Sequence, residues 1–369
     1  MTAQNLRFAY FVSSHGYGHA ARSTAVMAAI YDQQPDVHFE IFTQAPAWFF
    51  TNSLNGPFRY HSLLTDIGMV QKTTLTEDIS ATRQRLQEFV PFDPVQVEKL
   101  AEQVTQLDCR LVLCDIAPLG IAVARAAGIP AVLIENFTWD WIYQGYVADE
   151  PGLAEPITYL QQMFGLADYH IQTEPLCQPS ARADLTTGPI SRKIKTPAAQ
   201  IRQQLGLPAE ATVVMLTMGG ISWRYTFLEQ LKSHPQLHFV IPQAQVQLER
   251  QDNLILLPPQ SDFYHPDLIN AADAVIGKVG YSTLAEVYQA GIPFGYVARS
   301  KFRESPALTG YIESHMQGLP ISETQFQDGA WLARLPDLLA LPRFNRNGTN
   351  GADQVADFIF KHVPIISNP

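Results

Sequence analysis

Residues 272–299, ADAVIGKVGYSTLAEVYQAGIPFGYVAR, predict a strand, a glycine-bearing turn, a helix, a second turn and a second strand. Residues 274–276 form a short apolar run, which is typical of a buried parallel strand. Gly277 and Gly280 bracket the first turn, and glycines there let the backbone come close to a ligand. A strand–helix–strand unit of this kind indicates a parallel, doubly wound α/β sheet.

The helix expected to begin near Ser282 has the features of a phosphate site. Ser282 and Thr283 occupy its predicted N-cap and first turn, so two hydroxyls join the unpaired N–H groups and partial positive charge of the helix end. Lys278 adds a full positive charge. By helical spacing Glu286 lies on the same side as Ser282, where a carboxylate suits ribose hydroxyls better than a phosphate. An ordinary αβ unit would also carry glycine turns, a Ser/Thr cap and surface charges, so this stretch alone leaves both interpretations open.

The composition is that of a globular protein with more than one domain. The chain has 369 residues, of which 46% are hydrophobic and 16% charged, and this length exceeds one ordinary core. The net charge of −10 argues against a nucleic-acid partner. The three cysteines (Cys109, Cys114 and Cys177) do not have the spacing of metal ligands, and an odd number does not suit a disulfide framework, so we expect reduced thiols. No signal-peptide layout and no apolar run of ~20 residues is present, so we expect no transmembrane segment and a cytoplasmic location.

Strands alternate with helices through both halves of the chain. This predicts two tandem Rossmann-like doubly wound parallel-sheet domains, with the domain boundaries at 1–188 and 189–345 and a C-terminal helix in 346–369 that returns to the first domain. Residues 186–197, with a basic cluster of Arg192, Lys193 and Lys195, are the predicted linker. The predicted strands cover residues 6–12, 37–42, 110–114, 131–134, 169–172, 212–217, 238–241, 254–256 and 274–276.

One region gives no clear pattern. Residues 60–94 are mixed and polar, and a long region of this kind in an α/β domain often covers a ligand cleft. Ligands of such sheets bind at the carboxyl ends of the strands. If the carboxyl ends of the two sheets face each other, the loops that follow them line one cleft between the domains.

Two of these loops carry candidate catalytic residues. His19 and Asp115 each follow a strand of the same predicted sheet. A histidine is a suitable general base near neutral pH, and a carboxylate beside it would fix its tautomer and stabilise the imidazolium. Helix capping is the alternative role for both residues. His15 competes with His19 as the base, and Arg22 would bind an anion or pair on the helix surface.

The second half of the chain contains another glycine turn of the kind that faces a phosphate. Gly219 and Gly220 follow a predicted strand and precede a helix expected over residues 222–231. Such a turn would add backbone donors to those of the helix near Ser282.

The chain resembles two-domain glycosyltransferases of the GT-B type. Plant UDP-glycosyltransferases carry a Gly-His pair after the first strand, a later aspartate that orients the histidine, and a C-terminal signature that ends in glutamate. Lys278 stands in place of the signature histidine, and Leu257 in place of the tryptophan that stacks on uracil. The matching positions are Gly18 and His19 for the pair, Asp115 for the aspartate, Gly280, Ser282, Thr283 and Glu286 for the signature, and residues 257–260.

The chain also resembles the module that precedes the sugar-kinase domain in plant L-arabinokinases. No kinase-type Gly/Ser-rich phosphate loop is present, so sugar-kinase activity is not expected. The resemblance covers most of the chain and rests on HGYGHAAR at 15–22, NFTWD at 136–140, PDLI at 266–269 and GKVGY at 277–281.

These resemblances imply a nucleotide-sugar-dependent inverting glycosyltransferase that needs no metal ion or other cofactor, with a UDP-sugar as the favoured co-substrate. Glu304 falls where this fold usually contacts the donor sugar. The acceptor would be a small molecule or a lipid, and the sequence carries no signal for oligomeric state. A non-catalytic sugar-nucleotide-binding module and a UDP-sugar 2-epimerase or hydrolase remain alternatives. The residues expected on the acceptor side are His15, Gly18, Arg22, Asn136, Trp139 and Asp140.

Overall fold

The computed structural model describes residues 6–73, 76–220, 223–345 and 348–365. The chain forms two compact units, the first made of Met1–Ser191 with Thr349–Pro369 and the second of Arg192–Gly348. Each unit is built on a seven-stranded sheet with helices packed against it. This confirms the predicted fold class of two tandem Rossmann-like α/β domains.

The sheet of the first unit is parallel throughout and has the order β3-β2-β1-β6-β7-β8-β9. Its central strands are continuous buried runs, as expected of strands covered on both faces. Two further strands, β4 and β5, pair only with each other. The strands are β1 (Arg7–Val12), β2 (His38–Thr43), β3 (Phe58–Ser62), β4 (Gln71–Thr73), β5 (Thr76–Glu77), β6 (Cys109–Asp115), β7 (Ala131–Glu135), β8 (Tyr169–Thr173) and β9 (Leu185–Thr187).

Helices and one 3-10 turn (Pro151–Leu153) connect these strands. Residues 60–94, for which the sequence predicts no elements, contain the end of β3, the β4–β5 pair and helix α3 (Ile79–Phe89). The helices are α1 (Gly18–Gln33), α2 (Ala47–Ser53), α3 (Ile79–Phe89), α4 (Pro94–Gln106), α5 (Pro118–Ala127), α6 (Trp139–Gln144) and α7 (Ala154–Phe164).

The second unit repeats the plan, with the order β12-β13-β11-β10-β14-β15-β16. Among the described strands of this unit, β12 alone is antiparallel to its neighbour. Its strands are β10 (Thr212–Thr217), β11 (Leu237–Ile241), β12 (Glu249–Gln251), β13 (Leu254–Leu256), β14 (Ala274–Lys278), β15 (Phe294–Val297) and β16 (Gly318–Pro320). Its helices are α8 (Ala198–Gln204), α9 (Leu228–Lys232), α10 (His265–Ala271), α11 (Tyr281–Ala290), α12 (Ser305–His315), α13 (Glu323–Asp328) and α14 (Leu335–Leu339), with a 3-10 turn at Ala330–Arg334.

The last helix, α15 (Gly351–His362), belongs to the first unit and packs against α1. Its buried residues (Ala352, Val355, Ala356 and Ile359) fall on one face by the i, i+3, i+4, i+7 rule. Asn350 caps it, because the side-chain oxygen accepts from the Ala352 N–H at 3.0 Å and the amide donates to the Ser191 carbonyl at 2.7 Å. These bonds hold the start of α15 against Ser191, where the first segment of this unit ends.

Gly277 in β14 has no room for a side chain, because a Cβ atom there would overlap the backbone carbonyl of Thr217 on β10. Gly277→Ala is therefore expected to destabilise the protein by about 1–3 kcal/mol, measured as the free energy of unfolding in urea. Gly310→Ala is the matched control, since its Cβ would meet nothing within 4 Å and alanine favours the helical interior. An unchanged midpoint for Gly277→Ala would contradict the close approach of the two strands.

Candidate active site

The first candidate site lies where the strand order of the first unit reverses. β1 is followed by α1 and β2 on one side of the sheet, and β6 by α5 and β7 on the other, so the carboxyl ends of β1 and β6 border the crevice between them. The register pairs Val12 with Asp115. Helix α1 begins at Gly18, so His19 stands in its first turn, beside the end of β6.

Asp115 is the centre of a buried network at this point. It is 0% exposed. Its Oδ1 lies 2.7 Å from His19 Nδ1. Arg22 donates to both carboxylate oxygens, from Nη2 to Oδ1 and from Nε to Oδ2, each at 2.7 Å. Ser23 Oγ donates to Oδ2 at 3.3 Å. The predicted pair of His19 and Asp115 is therefore in hydrogen-bond contact.

The charge state of Asp115 follows from its partners. Burial raises the pKa of Asp115, but the charge and hydrogen bonds of Arg22 and the hydrogen bond from His19 outweigh it, so its pKa lies below the usual value. An ionised Asp115 accepts a hydrogen from Nδ1 of His19, and this leaves Nε2 as the ring nitrogen that can take up a proton. The geometry is that of a histidine base oriented by a carboxylate.

Aromatic rings surround the His19 imidazole. Its ring centroid lies 6.1 Å from that of Phe137 and 6.1 Å from that of Trp139. The His15 ring also packs edge-on against the Trp139 indole, with the ring centroids 5.2 Å apart. His15 Nδ1 accepts from the Met69 N–H at 3.3 Å. The structure thus separates the two candidate bases, because Asp115 contacts only His19 of the two.

The segment 65–69 contacts this cluster, and it lies in the region 60–94 that was expected to cover a ligand cleft, although none of its residues had a predicted role. Asp66 is 2% exposed and accepts from Trp139 Nε1 at 3.0 Å. Burial raises the pKa of Asp66 to about 6, although the His19 charge and hydrogen bonds lower it. Thr65 Oγ1 donates to the Val12 carbonyl at 2.9 Å, and Gly68 lies against His15. The bond from Asp66 thus holds the indole that packs beside His19.

The other residues expected on the acceptor side divide into two groups. Arg22 and Asn136 are each 1% exposed, and Arg22 Nη1 donates to Asn136 Oδ1 at 2.6 Å. Arg22 thus joins Asn136 to Asp115 in one buried network, and the acceptor-side role of both residues stays a prediction. Gly18, by contrast, is half-buried at the start of α1. Asp140, in the first turn of α6, is 9% exposed and its pKa is raised by burial.

The second candidate site lies where the strand order of the second unit reverses, between β10 and β14. Gly219 follows β10 with φ +74°, and a Cβ atom there would lie 3.8 Å from Cε of Lys278 at the end of β14. The glycine turn and the lysine are therefore neighbours. Gly220 is half-buried beside them.

Helix α11 begins one residue after Gly280, which is its N-cap and supplies no side-chain cap. Ser282 and Thr283 are therefore the second and third helical residues, so Ser282 is not the N-cap, whereas Thr283 lies in the first turn as predicted. Ser282 is half-buried and Thr283 is 5% exposed. The N-terminus of α11, Lys278 and the Gly219 turn meet at the same edge of the sheet, where a phosphate would find N–H donors and positive charge.

The helix predicted over residues 222–231 is shorter than expected. Ile221 and Ser222 lie outside the described residues, and α9 covers only Leu228–Lys232. The turn at Gly219 is therefore not followed directly by a helix N-terminus. This turn can therefore offer its own backbone N–H groups to a ligand, but not the N–H groups and dipole of a helix N-terminus.

Glu286 is engaged by two side chains of its own unit. It is 3% exposed; its Oε1 accepts from Arg192 Nε at 2.7 Å, and its Oε2 lies 2.8 Å from His265 Nδ1. Burial raises its pKa, but the Arg192 charge and the His265 hydrogen bond lower it further, to about 2. Arg192 was expected in a linker, and the structure instead buries it beside α11, at 7% exposed.

Glu304 precedes α12 and is 5% exposed. It lies in the loop that follows β15, the next strand after β14 in the sheet. Among residues 6–73, 76–220, 223–345 and 348–365, no three His, Cys, Asp or Glu side chains come together as a metal ligand set. In the same residues no helix is both long enough and apolar enough to cross a membrane.

Solved structures with the same architecture decide the fold. The glycotransferase of kitacinnamycin superposes with a TM-score of 0.68 at 15% identity, covering 98% of this chain and 100% of that one. A UDP-glucosyltransferase from Polygonum tinctorium gives 0.59 at 13% identity over 98% and 95%, and MurG of Acinetobacter baumannii gives 0.56 at 14% over 96% and 99%. The fold is that of the GT-B glycosyltransferases. At these identities the likeness concerns the fold alone.

A sequence relative extends over the same length. The L-arabinokinase of Arabidopsis thaliana is 28% identical over 362 residues, which are 97% of this chain and 34% of the relative. The chain thus spans about a third of the length of the curated relative it matches. No family model matches the chain. The predicted resemblances to GT-B glycosyltransferases and to L-arabinokinase are confirmed.

Proposed function

We propose that the protein is a nucleotide-sugar-dependent, inverting glycosyltransferase in which His19 is the general base. The observation that carries the proposal is the buried contact between His19 and Asp115, 2.7 Å long, at the carboxyl edge of a GT-B sheet. A histidine held in this way has one ring nitrogen committed to the carboxylate and the other available for a proton.

The first unit would act on the acceptor. His19 Nε2 takes the proton of an acceptor hydroxyl, and the hydroxyl oxygen attacks the anomeric carbon of the donor sugar. The new C–O bond forms as the bond from that carbon to the diphosphate breaks, so the leaving diphosphate takes the electron pair. A single displacement of this kind inverts the anomeric configuration. The rings of Phe137 and Trp139, 5% and 1% exposed, pack beside His19 and would form the apolar backing of the acceptor side.

The second unit would hold the donor. Lys278 and the N–H groups at the start of α11 stand where negative charge develops on the leaving diphosphate, and the Gly219–Gly220 turn adds backbone donors. We propose that these groups supply the charge stabilisation without a metal ion. UDP is the favoured nucleotide, by the sequence resemblance and because a UDP-glucosyltransferase is among the proteins of this fold. Glu304 is the proposed contact to the donor sugar.

Lys278→Ala is expected to weaken the binding of a nucleoside diphosphate by about tenfold to a hundredfold, because a charged hydrogen bond to phosphate contributes about 1.5–3 kcal/mol. Isothermal titration with UDP, GDP and ADP measures the change. Lys232→Ala is the matched control, since Lys232 pairs with Glu229 on α9 of the same unit. Equal affinities for wild type and Lys278→Ala would contradict the donor site at β14.

Turnover distinguishes a transferase from the other functions of a sugar-nucleotide site. The protein is incubated with UDP-, GDP- and ADP-sugars and a panel of hydroxyl acceptors, and product is identified by mass and by NMR. Acceptor-dependent glycoside formation with an inverted anomeric centre supports the proposal. Nucleotide binding without any product under these conditions indicates a binding module, and a donor sugar inverted at C2 indicates an epimerase.

A further inference from the structure

We propose that His265, held in place by Glu286 and Arg192, is the residue of the second unit that contacts the ribose hydroxyls of the donor nucleotide. Glu286 then acts through His265 as a positioning residue. The inference rests on the proposed function, in that it deepens the donor site of the second unit. It also changes the role that the sequence resemblance implied for Glu286.

The carboxylate of Glu286 has little capacity left for a ligand. Both of its oxygens accept short bonds, at 2.7 Å from Arg192 and 2.8 Å from His265, and its side chain is 1% exposed. Hydrogen bonds between charged groups are roughly twice as strong as neutral ones. Each carboxylate oxygen could accept a second bond, but a side chain that is only 1% exposed gives a ribose hydroxyl little access to it.

The imidazole of His265 is the accessible member of this group, with a side chain 24% exposed against 1% for Glu286. Its Nε2 makes one contact, to Thr217 Oγ1 at 3.3 Å. That distance is long for a hydrogen bond to a hydroxyl, so the contact is weak and is exchanged or shared more easily than the two bonds of Glu286. A hydroxyl can meet Nε2 as donor or acceptor, according to the protonation of the ring.

The position of Nε2 agrees with a ribose contact. Thr217 is the last residue of β10, and it is paired with Gly277 of β14. Gly219 lies two residues further along and next to Lys278. The imidazole therefore borders the edge where the diphosphate site is proposed. Its other partner, Glu286, lies on α11 beyond the first turn of that helix.

The start of α10, which carries His265, is held by the segment that the sequence predicted as a linker. Tyr264, next to His265, has the Arg192 guanidinium 4.9 Å and the Lys195 ammonium 4.5 Å from its ring centroid. The Lys195 N–H donates to Asp267 Oδ1 at 2.7 Å, in the first turn of α10. Because these contacts and Glu286 fix the ring, little conformational freedom is lost when a hydroxyl binds it.

The test compares a ribonucleotide with its dideoxy analogue. UDP, GDP and ADP are titrated first, and the diphosphate that binds most tightly is then compared with its 2′,3′-dideoxy form by isothermal titration. Wild type is expected to prefer the ribonucleotide by about tenfold, equivalent to about 1.4 kcal/mol. His265→Phe keeps a ring of similar size and is expected to remove this preference while the dideoxy form binds as before.

Three variants make the outcome specific. His265→Ala repeats the test with a smaller side chain, and thermal unfolding shows that each variant is folded. His315→Ala removes an exposed histidine at the far end of α12 and should leave both affinities unchanged. Glu286→Gln should reduce the preference only in part. Loss of the preference in Glu286→Gln together with its retention in His265→Phe would assign the ribose to Glu286 and overturn the inference.

Failure of the inference differs from failure of the proposed function. If wild type binds a diphosphate but does not distinguish the ribose from the dideoxy form, or if His265→Phe still does, the assignment of His265 is wrong and the donor site stands. If wild type binds none of UDP, GDP and ADP, the donor site itself is refuted.

Discussion

His19→Ala is expected to lower kcat for acceptor-dependent release of nucleoside diphosphate by about 10²–10⁴-fold, the usual contribution of a positioned general base. In the proposed mechanism the other unit binds the donor, so the affinity for the donor should be unchanged. The loss should shrink for acceptors whose hydroxyl is already acidic, such as nitrophenols, because such an oxygen needs less help to give up its proton. Kinetics with an alcohol and a nitrophenol acceptor measure both effects.

His15→Ala is the matched control for His19. The two histidines flank Trp139, but only His19 contacts Asp115, while His15 accepts from a backbone N–H. We therefore expect less than about a tenfold loss of kcat in His15→Ala, because His15 would line the site without taking up the acceptor proton. A larger loss in His15→Ala than in His19→Ala would reverse the assignment.

Asp115→Asn is expected to impair both stability and catalysis. The substitution leaves the Arg22 guanidinium, 1% exposed, without the carboxylate that binds it through two bonds of 2.7 Å. Removing one partner of a buried ion pair lowers the free energy of unfolding by about 3–5 kcal/mol. For a domain of 150–250 residues each kcal/mol lowers Tm by about 2–4 °C. An asparagine amide also cannot stabilise the imidazolium of His19, so kcat should fall by about 10²–10⁴-fold.

A double variant separates these two effects. Arg22→Met with Asp115→Asn removes both charges, and we expect it to regain much of the Tm lost in Asp115→Asn, because no unpaired charge remains. Catalysis should not return, since His19 still lacks its carboxylate. Recovery of activity along with Tm would show that Asp115 serves only the fold.

Acid unfolding gives an independent check on the same pair. The pKa of Asp115 is lower in the folded protein than its usual value, so its ionised form adds stability above the usual pKa. That stability is lost as the pH falls through the folded-state pKa. The double variant is expected to lose this part of the acid dependence, which urea unfolding between pH 7 and pH 3 would show.

The sequence allowed the fold and the His19–Asp115 pair to be predicted for one reason. Buried parallel strands are continuous apolar runs, and polar residues directly after them gather at one edge of the sheet. His19 comes after β1 and Asp115 is the last residue of β6, and these two strands are neighbours in the sheet. The same reasoning brought the Gly219 turn close to Lys278, at the ends of β10 and β14.

Contacts made by irregular segments could not be predicted in this way. Asp66 lies in a stretch with no periodic pattern, and its position depends on distant partners such as Trp139. Arg192 is one of a basic cluster, which in sequence is typical of a solvated linker, but burial beside Glu286 gives it an ion pair. Helical spacing placed Glu286 correctly on α11, whereas its bond to His265 depends on how α10 packs.

The most direct test of the central claim is whether acceptor and donor react on this protein. The measurement is release of nucleoside diphosphate from a UDP-, GDP- or ADP-sugar, with and without an acceptor, for wild type and for His19→Ala. We predict release that requires the acceptor, yields one glycoside per diphosphate and falls by about 10²–10⁴-fold in the variant. Release that is independent of the acceptor, or equal in the two proteins, would contradict transfer driven by a His19 base.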